Sequence, residues 1–437
     1  MMSNMMAFIK KMHKKIMTDT LYLNSLYLMA STFIMAGFGF IFWIIVAHYY
    51  STDSVGIATT VLSVMTLLAS LSTVGLNVSL SRFLPKSKTR NALITTAFSV
   101  VALTSIITTS IFLAGLTVFS PDLLFLRSNI FYIISFIIFV ICYTWELLVD
   151  SVFVAYRAAS NVFWKSALLS VLKLIFPFFL LMLGAYGIIT ANAIAMASAV
   201  IFSYVVLKKR FSYVVKPVIT FSLLKEMASF SWGSFVAGLL ANAPSLLLPV
   251  IIINTLSPKY AAYYYIASMI QNILYIIPLA TTQTLLTEGA YDEKDLQVNV
   301  RKAVISTFLL LIPATLIIVF FGGILLHIFG KSYAADAFQF LQLYSISTVF
   351  TAVILIGGAI FRIKHHLEAL IFMNLIGAIL TIGYSYAFIS YKLVGIGLGW
   401  IIGQGITAVL FTILIAIELN MTRKKKLNSE SHSLKPT

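Results

Sequence analysis

Residues 21–50 read LYLNSLYLMASTFIMAGFGFIFWIIVAHYY, thirty positions without one Asp, Glu, Lys or Arg. A helix rises 1.5 Å per residue, so about 20 apolar residues cross the roughly 30 Å hydrocarbon core of a bilayer. Lys10, Lys11, Lys14 and Lys15 precede the run, as they would a secretory signal. A cleavable signal core is only about 7–15 residues long and ends at a small-residue cleavage site, so residues 21–50 are expected to be a retained first span.

The rest of the chain repeats this pattern. Of 437 residues, 60% are hydrophobic and only 10% charged. That is too little polar surface to cover water-soluble domains, which carry roughly 25% charged residues. Apolar windows between charged or Gly, Pro and Asn breaks predict twelve spans, at about 21–50, 56–80, 91–119, 129–156, 163–183, 186–207, 228–254, 260–286, 303–325, 335–360, 367–389 and 394–418. The fold class expected is an all-α polytopic membrane protein, with twelve transmembrane helices in two pseudo-symmetric six-helix lobes around a central cavity.

Charge supplies the topology. The net charge of +16 could suggest nucleic acid, but the basic residues alternate with the spans. With the N-terminus inside, the inner segments hold Lys10–Lys15, Arg82 to Arg90, Arg157, Lys165, Lys208 to Lys225, Lys294 to Lys302, Arg362, Lys364 and the tail from Arg423 to Lys435. The outer loops hold Arg127, Lys259, Lys331 and Lys392. Both termini are therefore expected in the cytoplasm, on a multi-pass protein of the plasma membrane.

Several chemistries are excluded. Cys142 is the one cysteine, so no internal disulfide or Cys-x-x-Cys pair exists, and the six histidines are scattered. Neither metal, cofactor nor catalytic residue is expected.

The halves repeat. A shift of 205 places Ser51–Gly56 on Leu256–Ala261 and Tyr156-Arg157 on Phe361-Arg362; a shift of 208 places Tyr186-Gly187-Ile188 on Val394-Gly395-Ile396. The expected organisation is a six-helix lobe over 1–207, a basic linker at 208–224, a second lobe over 225–420 and a basic tail at 421–437. Because six is even, the lobes insert in parallel.

In the second span Thr59, Ser63, Thr66, Ser70, Thr73 and Asn77 recur at spacings of four and three, which puts them on one helical face. A shift of 205 gives Tyr264, Ser268, Gln271, Tyr275, Pro278 and Thr282 on the eighth span. Small hydroxyl residues also serve close helix packing, so the first stripe alone supports either reading. The size of Gln271 and the tyrosines favours a solvated surface, and both stripes are read as cavity lining.

Charges within spans are costly and mark candidate sites. Glu146 and Asp150 share a face of the fourth span, and Lys173 lies in the fifth. Counted from the basic turn at 157–165, all three sit roughly 10–17 Å deep. They read either as a structural ion pair or as a surplus carboxylate that exchanges a proton or sodium ion. Arg82, Arg157 and Arg362, at inner span ends, are candidates for a substrate phosphate; inner basic residues also serve simply as topology signals. Gly395, Gly397, Gly399, Gly403 and Gly405 lie in an apolar run and read as close helix contact, not a nucleotide loop.

Trp43–Ala47, Ser51–Gly56, Val74-Gly75-Leu76 and Ser81–Pro85 resemble the N-terminal pattern of polysaccharide-biosynthesis flippases. These belong to the multidrug/oligosaccharidyl-lipid/polysaccharide exporter superfamily, with the O-antigen flippases. The resemblance implies alternating-access translocation of a polyprenyl-pyrophosphate-linked oligosaccharide from the inner to the outer leaflet, for lipopolysaccharide or other surface polysaccharide. The partners expected are that substrate, membrane lipid and a coupling H+ or Na+, with a monomer and no nucleic acid. A cation-coupled multidrug antiporter of the same fold is the alternative. A membrane glycosyl-polymerase needs sizeable outer loops with catalytic residues, and the loops here offer little beyond Asp53, Asp122 and Arg127. A major-facilitator signature is absent, since Arg82–Asn91 contains no acid.

Overall fold

The computed structural model describes residues 20–215, 219–291 and 296–433. The basic residues Lys10, Lys11, Lys14, Lys15, Lys216, Lys294 and Lys435 lie outside the described residues. Twelve helices among the described residues are long and apolar enough to cross a membrane, from Leu23–Tyr49 to Ile389–Ile417. Only helices satisfy every backbone group within their own segment, as hydrocarbon requires. Residues such as Leu309, Phe320 and Ile324 accordingly present bare apolar side chains outward.

The chain divides into two compact units, one through Phe235 and one from Val236. The first holds α1 (Thr20–Tyr49), α2 (Thr52–Thr73), α3 (Leu76–Phe83), α4 (Arg90–Ala114), α5 (Ile130–Ala155), α6 (Ala159–Phe179) and α7 (Gly184–Phe211). The division falls inside α8 (Phe221–Thr255), whose first turns belong to the first unit rather than to a lobe starting at 225. Ser79 shows why: its hydroxyl donates to the Met227 carbonyl at 2.6 Å and meets the Ser231 hydroxyl at 2.9 Å. The second unit continues with α9 (Pro258–Tyr291), α10 (Leu296–His327), α11 (Lys331–Ile363), α12 (Leu367–Ala387) and α13 (Lys392–Ser433).

Local chemistry explains the breaks. Ser51 caps α2 by accepting from the Ser54 N–H at 3.2 Å, and Asp53 adds a negative charge to the helix start. The second span is interrupted: Val74 (φ 46°) and Gly75 (φ 75°) are both left-handed, so α2 stops and α3 restarts. Asn77 therefore lies on a separate helix from the rest of its expected stripe. A Cβ on Gly75 would stand 2.9 Å from that of Ser231, so close approach as well as φ demands glycine there.

The repeat is real in local geometry, with a register that differs from the expected one. After α5, Arg157 is left-handed (φ 54°) and the Ala158 N–H donates to the Phe153 carbonyl at 2.9 Å. After α11, His365 is left-handed (φ 59°) and the His366 N–H donates to the Phe361 carbonyl at 2.8 Å. Both are Schellman-type helix ends. They match at a shift of 208, so Arg157 corresponds to His365, not Arg362. Gly184 and Lys392 (φ 54° and 56°) keep the same 208. At the other end of the repeat, α2 begins at Thr52 and α9 at Pro258, a shift of 206. One residue of slip rotates a helix position by about 100°, which separates the two expected stripes.

The first unit's core joins Leu80, Leu93, Ala97, Leu148, Val152 and Phe153. A smaller cluster in the same unit joins Leu169, Ala195, Met196 and Ala199, and in the second unit one cluster forms around Leu285, Leu296, Ile356 and Ile360 and another around Ala237, Phe361, Leu370 and Phe411. Gly399 and Gly403 bring α13 against the backbone of α12: an added Cβ would stand 2.3 Å from the Ser385 nitrogen and 2.5 Å from the Thr381 Cα. Close helix contact is thus what those glycines provide.

Candidate functional site

The first unit holds a buried charge cluster on the hairpin α5–α6. Glu146 and Asp150 lie one turn apart on α5, and Lys165 reaches both from α6. The Lys165 ammonium donates to a Glu146 carboxylate oxygen and pairs with Asp150 at 2.6 Å. The Asp150 contact is ionic without hydrogen-bond alignment. Lys165 is fully buried and the Glu146 side chain only 7% exposed, whereas the Asp150 side chain is 36% exposed. Two carboxylates against one ammonium leave a formal charge of −1, with Asp150 as the least buried member.

The cation in this cluster is not the expected one. Counting from the basic turn leaves Lys165 in the turn and places Lys173 at the height of the carboxylates, but among the described residues Lys173 forms no ion pair with either. The reason is where α6 starts. The turn closes within three residues and the helix begins at Ala159. Asp150 lies five residues before the end of α5 and Lys165 six after the start of α6, so both are about 8–9 Å from the turn. Lys173, fourteen residues in, is about 21 Å away. The missed signal was facial. Lys165 stands three after Val162 and four before Leu169, both buried, so it interrupts an apolar face instead of ending a loop.

One turn of α5 fixes the cluster's surroundings. The Tyr143 hydroxyl meets the Thr66 hydroxyl on α2 at 3.2 Å, and Thr144 meets Ser105 on α4 at 3.2 Å. The Trp145 indole N–H donates to the Phe98 carbonyl at 3.2 Å. Glu146 then completes the turn towards α6. The polar face of α2 thereby connects to the turn that carries the charge, through Tyr143, a residue the sequence reading passed over.

The stripes divide by burial. Thr59 and Thr73 are buried; Ser63, Thr66, Ser70 and Asn77 are half-buried. Their hydroxyls mostly bond back to their own helix, as Ser63 does to the Thr59 carbonyl and Ser70 to that of Thr66, both within 2.9 Å. In the second unit Tyr264, Gln271 and Thr282 are buried, and Ser268 and Tyr275 half-buried. Gln271 donates to the Thr348 hydroxyl at 2.6 Å and Tyr264 packs its ring on Phe340, so this stripe's large members face α11 inside their own unit.

The three arginines occupy different settings. Arg82, on the last turn of α3, places its guanidinium 4.0 Å from the Phe230 ring centroid. Arg157 is exposed in the α5–α6 turn, and Arg362 is exposed in the last turn of α11.

A family model described as "Polysaccharide biosynthesis protein" matches residues 21–285. The chain belongs to the polysaccharide biosynthesis protein family. No curated protein matches the sequence. An inward-facing multidrug resistance MATE family transporter of the MOP superfamily shares 17% identity at TM-score 0.71, over 92% of this chain and 99% of that one. The lipid II flippase MurJ, in an inward closed conformation, shares 12% at TM-score 0.71, over 90% of this chain and 87% of that one. A MOP superfamily transporter from Pyrococcus furiosus, described as having a binding pocket of reverse polarity, shares 16% at TM-score 0.58, over 92% and 95%. Likeness at these identities concerns the fold. Family membership, the shared fold and twelve membrane-length apolar helices together make this polysaccharide biosynthesis protein a multi-pass membrane protein.

Proposed function

We propose that this chain flips a polyprenyl-pyrophosphate-linked oligosaccharide from the inner to the outer leaflet by alternating access, for export of cell-surface polysaccharide such as O-antigen. The observation that carries this reading is the family match over residues 21–285, which covers the first unit from residue 21 onward. The physical task is to carry a charged sugar headgroup across hydrocarbon while its tail stays in lipid. Hydroxyl-rich faces on α2 and α9 suit sugars, which are bound mainly through hydrogen bonds. In this reading the half-buried members Ser63, Thr66, Ser70, Asn77, Ser268 and Tyr275 line the path. Arg82, exposed at the inner end of the second span, is the arginine best placed to meet the pyrophosphate. The protein acts as a monomer in the plasma membrane, with both termini cytoplasmic, and performs no covalent chemistry.

The carboxylate left over at Glu146–Lys165–Asp150 is the proposed coupling element, with Asp150 exchanging a proton or sodium ion. The same negative charge, with the aromatic Tyr264 and Tyr275, favours a cation-coupled antiporter for organic cations.

Reconstitution into liposomes with a fluorescent polyprenyl-pyrophosphate oligosaccharide decides between them. Protein-dependent access of the probe to the opposite leaflet supports the flippase. Equal scrambling in empty vesicles rejects it, and exchange of an organic cation without lipid movement establishes the antiporter. Asp150→Asn should abolish dependence on an ion gradient while leaving the protein folded.

A further inference from the structure

Two depressions on the first unit adjoin at one residue. Between α6 and α7 runs a groove of about 630 Å³, walled by Trp164, Leu168, Val171, Phe202 and Val206. At the end of the hairpin that the charge distribution assigns to the cytoplasm, it reaches Asn161 and Arg210. Arg210 also lines a second cleft, of about 920 Å³, together with Lys88, Arg90, Asn91 and Tyr156. Among the described residues no carboxylate lines either one.

The two parts form one polarity gradient. On α7, Phe202, Val206 and Arg210 follow at intervals of four, so one helical face passes from aromatic to aliphatic to cationic. On α6 the groove runs from Ser160 to Val171, eleven residues or about 16 Å. That is about half the roughly 30 Å hydrocarbon core, the depth of one leaflet. Trp164, 60% exposed, stands one turn from the polar end, where indoles favour the membrane interface. Arg210 is held at the junction by donating to the Asn161 side-chain Oδ1 at 3.2 Å, and Asn161 is only 4% exposed. In the cleft, Arg90 stands 5.7 Å from the Tyr156 ring centroid. The first turn of α4 opens there without a side-chain cap, which adds unpaired backbone N–H groups that favour an anion.

We propose that this composite surface binds one anionic glycerophospholipid of the inner leaflet, with an acyl chain in the α6–α7 groove and the phosphate headgroup at Arg210, Arg90 and Lys88. Charge complementarity selects an anionic head, and the one-leaflet depth selects an ordinary acyl chain over a long isoprenoid. The site is independent of which substrate the protein transports.

The test uses the full chain in nanodiscs doped with phospholipids brominated on the acyl chain. Bromine quenches indole fluorescence on contact, and subtraction of Trp164→Phe isolates the Trp164 signal from the five tryptophans. Brominated phosphatidylglycerol should quench Trp164 at several-fold lower mole fraction than brominated phosphatidylcholine. Arg210→Gln should remove that preference, Ala167→Phe should block quenching by filling the groove, and Lys259→Gln should change nothing. Equal quenching by the two lipids in the unmodified chain overturns the proposal and needs no variant. So does a preference that survives Arg210→Gln, displacement by millimolar inorganic phosphate alone, or stronger retention of a polyprenyl phosphate than of phosphatidylglycerol.

Discussion

Lys165 on α6 is fully buried, yet its ammonium lies 2.6 Å from Asp150, whose side chain is 36% exposed, and also donates to the buried Glu146 one turn deeper. The three charges are unequal in what they require of the fold. Without Lys165, Glu146 would keep a buried charge with no ion-pair partner among the described residues, and breaking such a pair costs about 3–5 kcal/mol. Without Asp150, Lys165 still keeps Glu146. Thermal unfolding in detergent should therefore rank Lys165→Met as most damaging and Asp150→Asn as mild. The double variant Lys165→Met with Glu146→Gln should recover part of the loss. Equal damage from Asp150→Asn and Lys165→Met would contradict this ranking.

The break in the second span gives a paired expectation. Gly75→Ala meets both a left-handed backbone and a Cβ contact of 2.9 Å with Ser231, so it should cost at least the 1–2 kcal/mol or so that the left-handed conformation alone imposes on a side chain. Val74 is β-branched in the same conformation, so Val74→Gly should be neutral or stabilising. The melting temperature of Gly75→Ala should fall while that of Val74→Gly holds or rises; a fall in both would mean the break is not held by backbone strain.

How much of this was readable beforehand differs by level. The spans were, because a bilayer imposes a length and a polarity that single residues cannot hide. Helix ends were less so: Ala159 begins α6 with no charge or proline to mark it, and a few residues' error there exchanged Lys165 for Lys173 as the cluster's cation. The repeat was visible in Gly187 and Gly395, whose offset of 208 the structure keeps. It was misread at Arg157 and Arg362, where similar residue types outweighed turn geometry carried equally by an arginine and a histidine. Tyr143 carried no signal, since one tyrosine in an apolar run gives no hint of a hydroxyl partner on another helix.

Topology can be read from single cysteines in a Cys142→Ala background, because Cys142 is the only native one. Cysteines replacing Arg157 and His365, the two equivalent left-handed turn residues, should be protected from a membrane-impermeant maleimide in intact cells and labelled after lysis. A cysteine replacing Lys259 should label in intact cells. Labelling of positions 157 and 365 on opposite sides would end the parallel-repeat interpretation.

Gly187 and Gly395 offer the most direct test of the repeat's geometry. A Cβ on Gly187 would fall 2.1 Å from the Leu180 carbonyl oxygen, and one on Gly395 would fall 1.7 Å from that of Phe388. In each case the obstacle is backbone at the turn before the last helix of the repeat, which cannot rotate aside as a side chain could. Gly383 lies within α12 and has nothing within 4 Å of an added Cβ. Alanine in a helix exceeds glycine by about 0.5–1 kcal/mol when space allows. Gly383→Ala should therefore hold or raise the melting temperature, while Gly187→Ala and Gly395→Ala should each lower it or abolish a monodisperse product in detergent chromatography. Since both sites are built by the same turn, the two losses should be alike. Tolerance at one glycine and collapse at the other would show that the matching dihedral angles do not reflect matching packing.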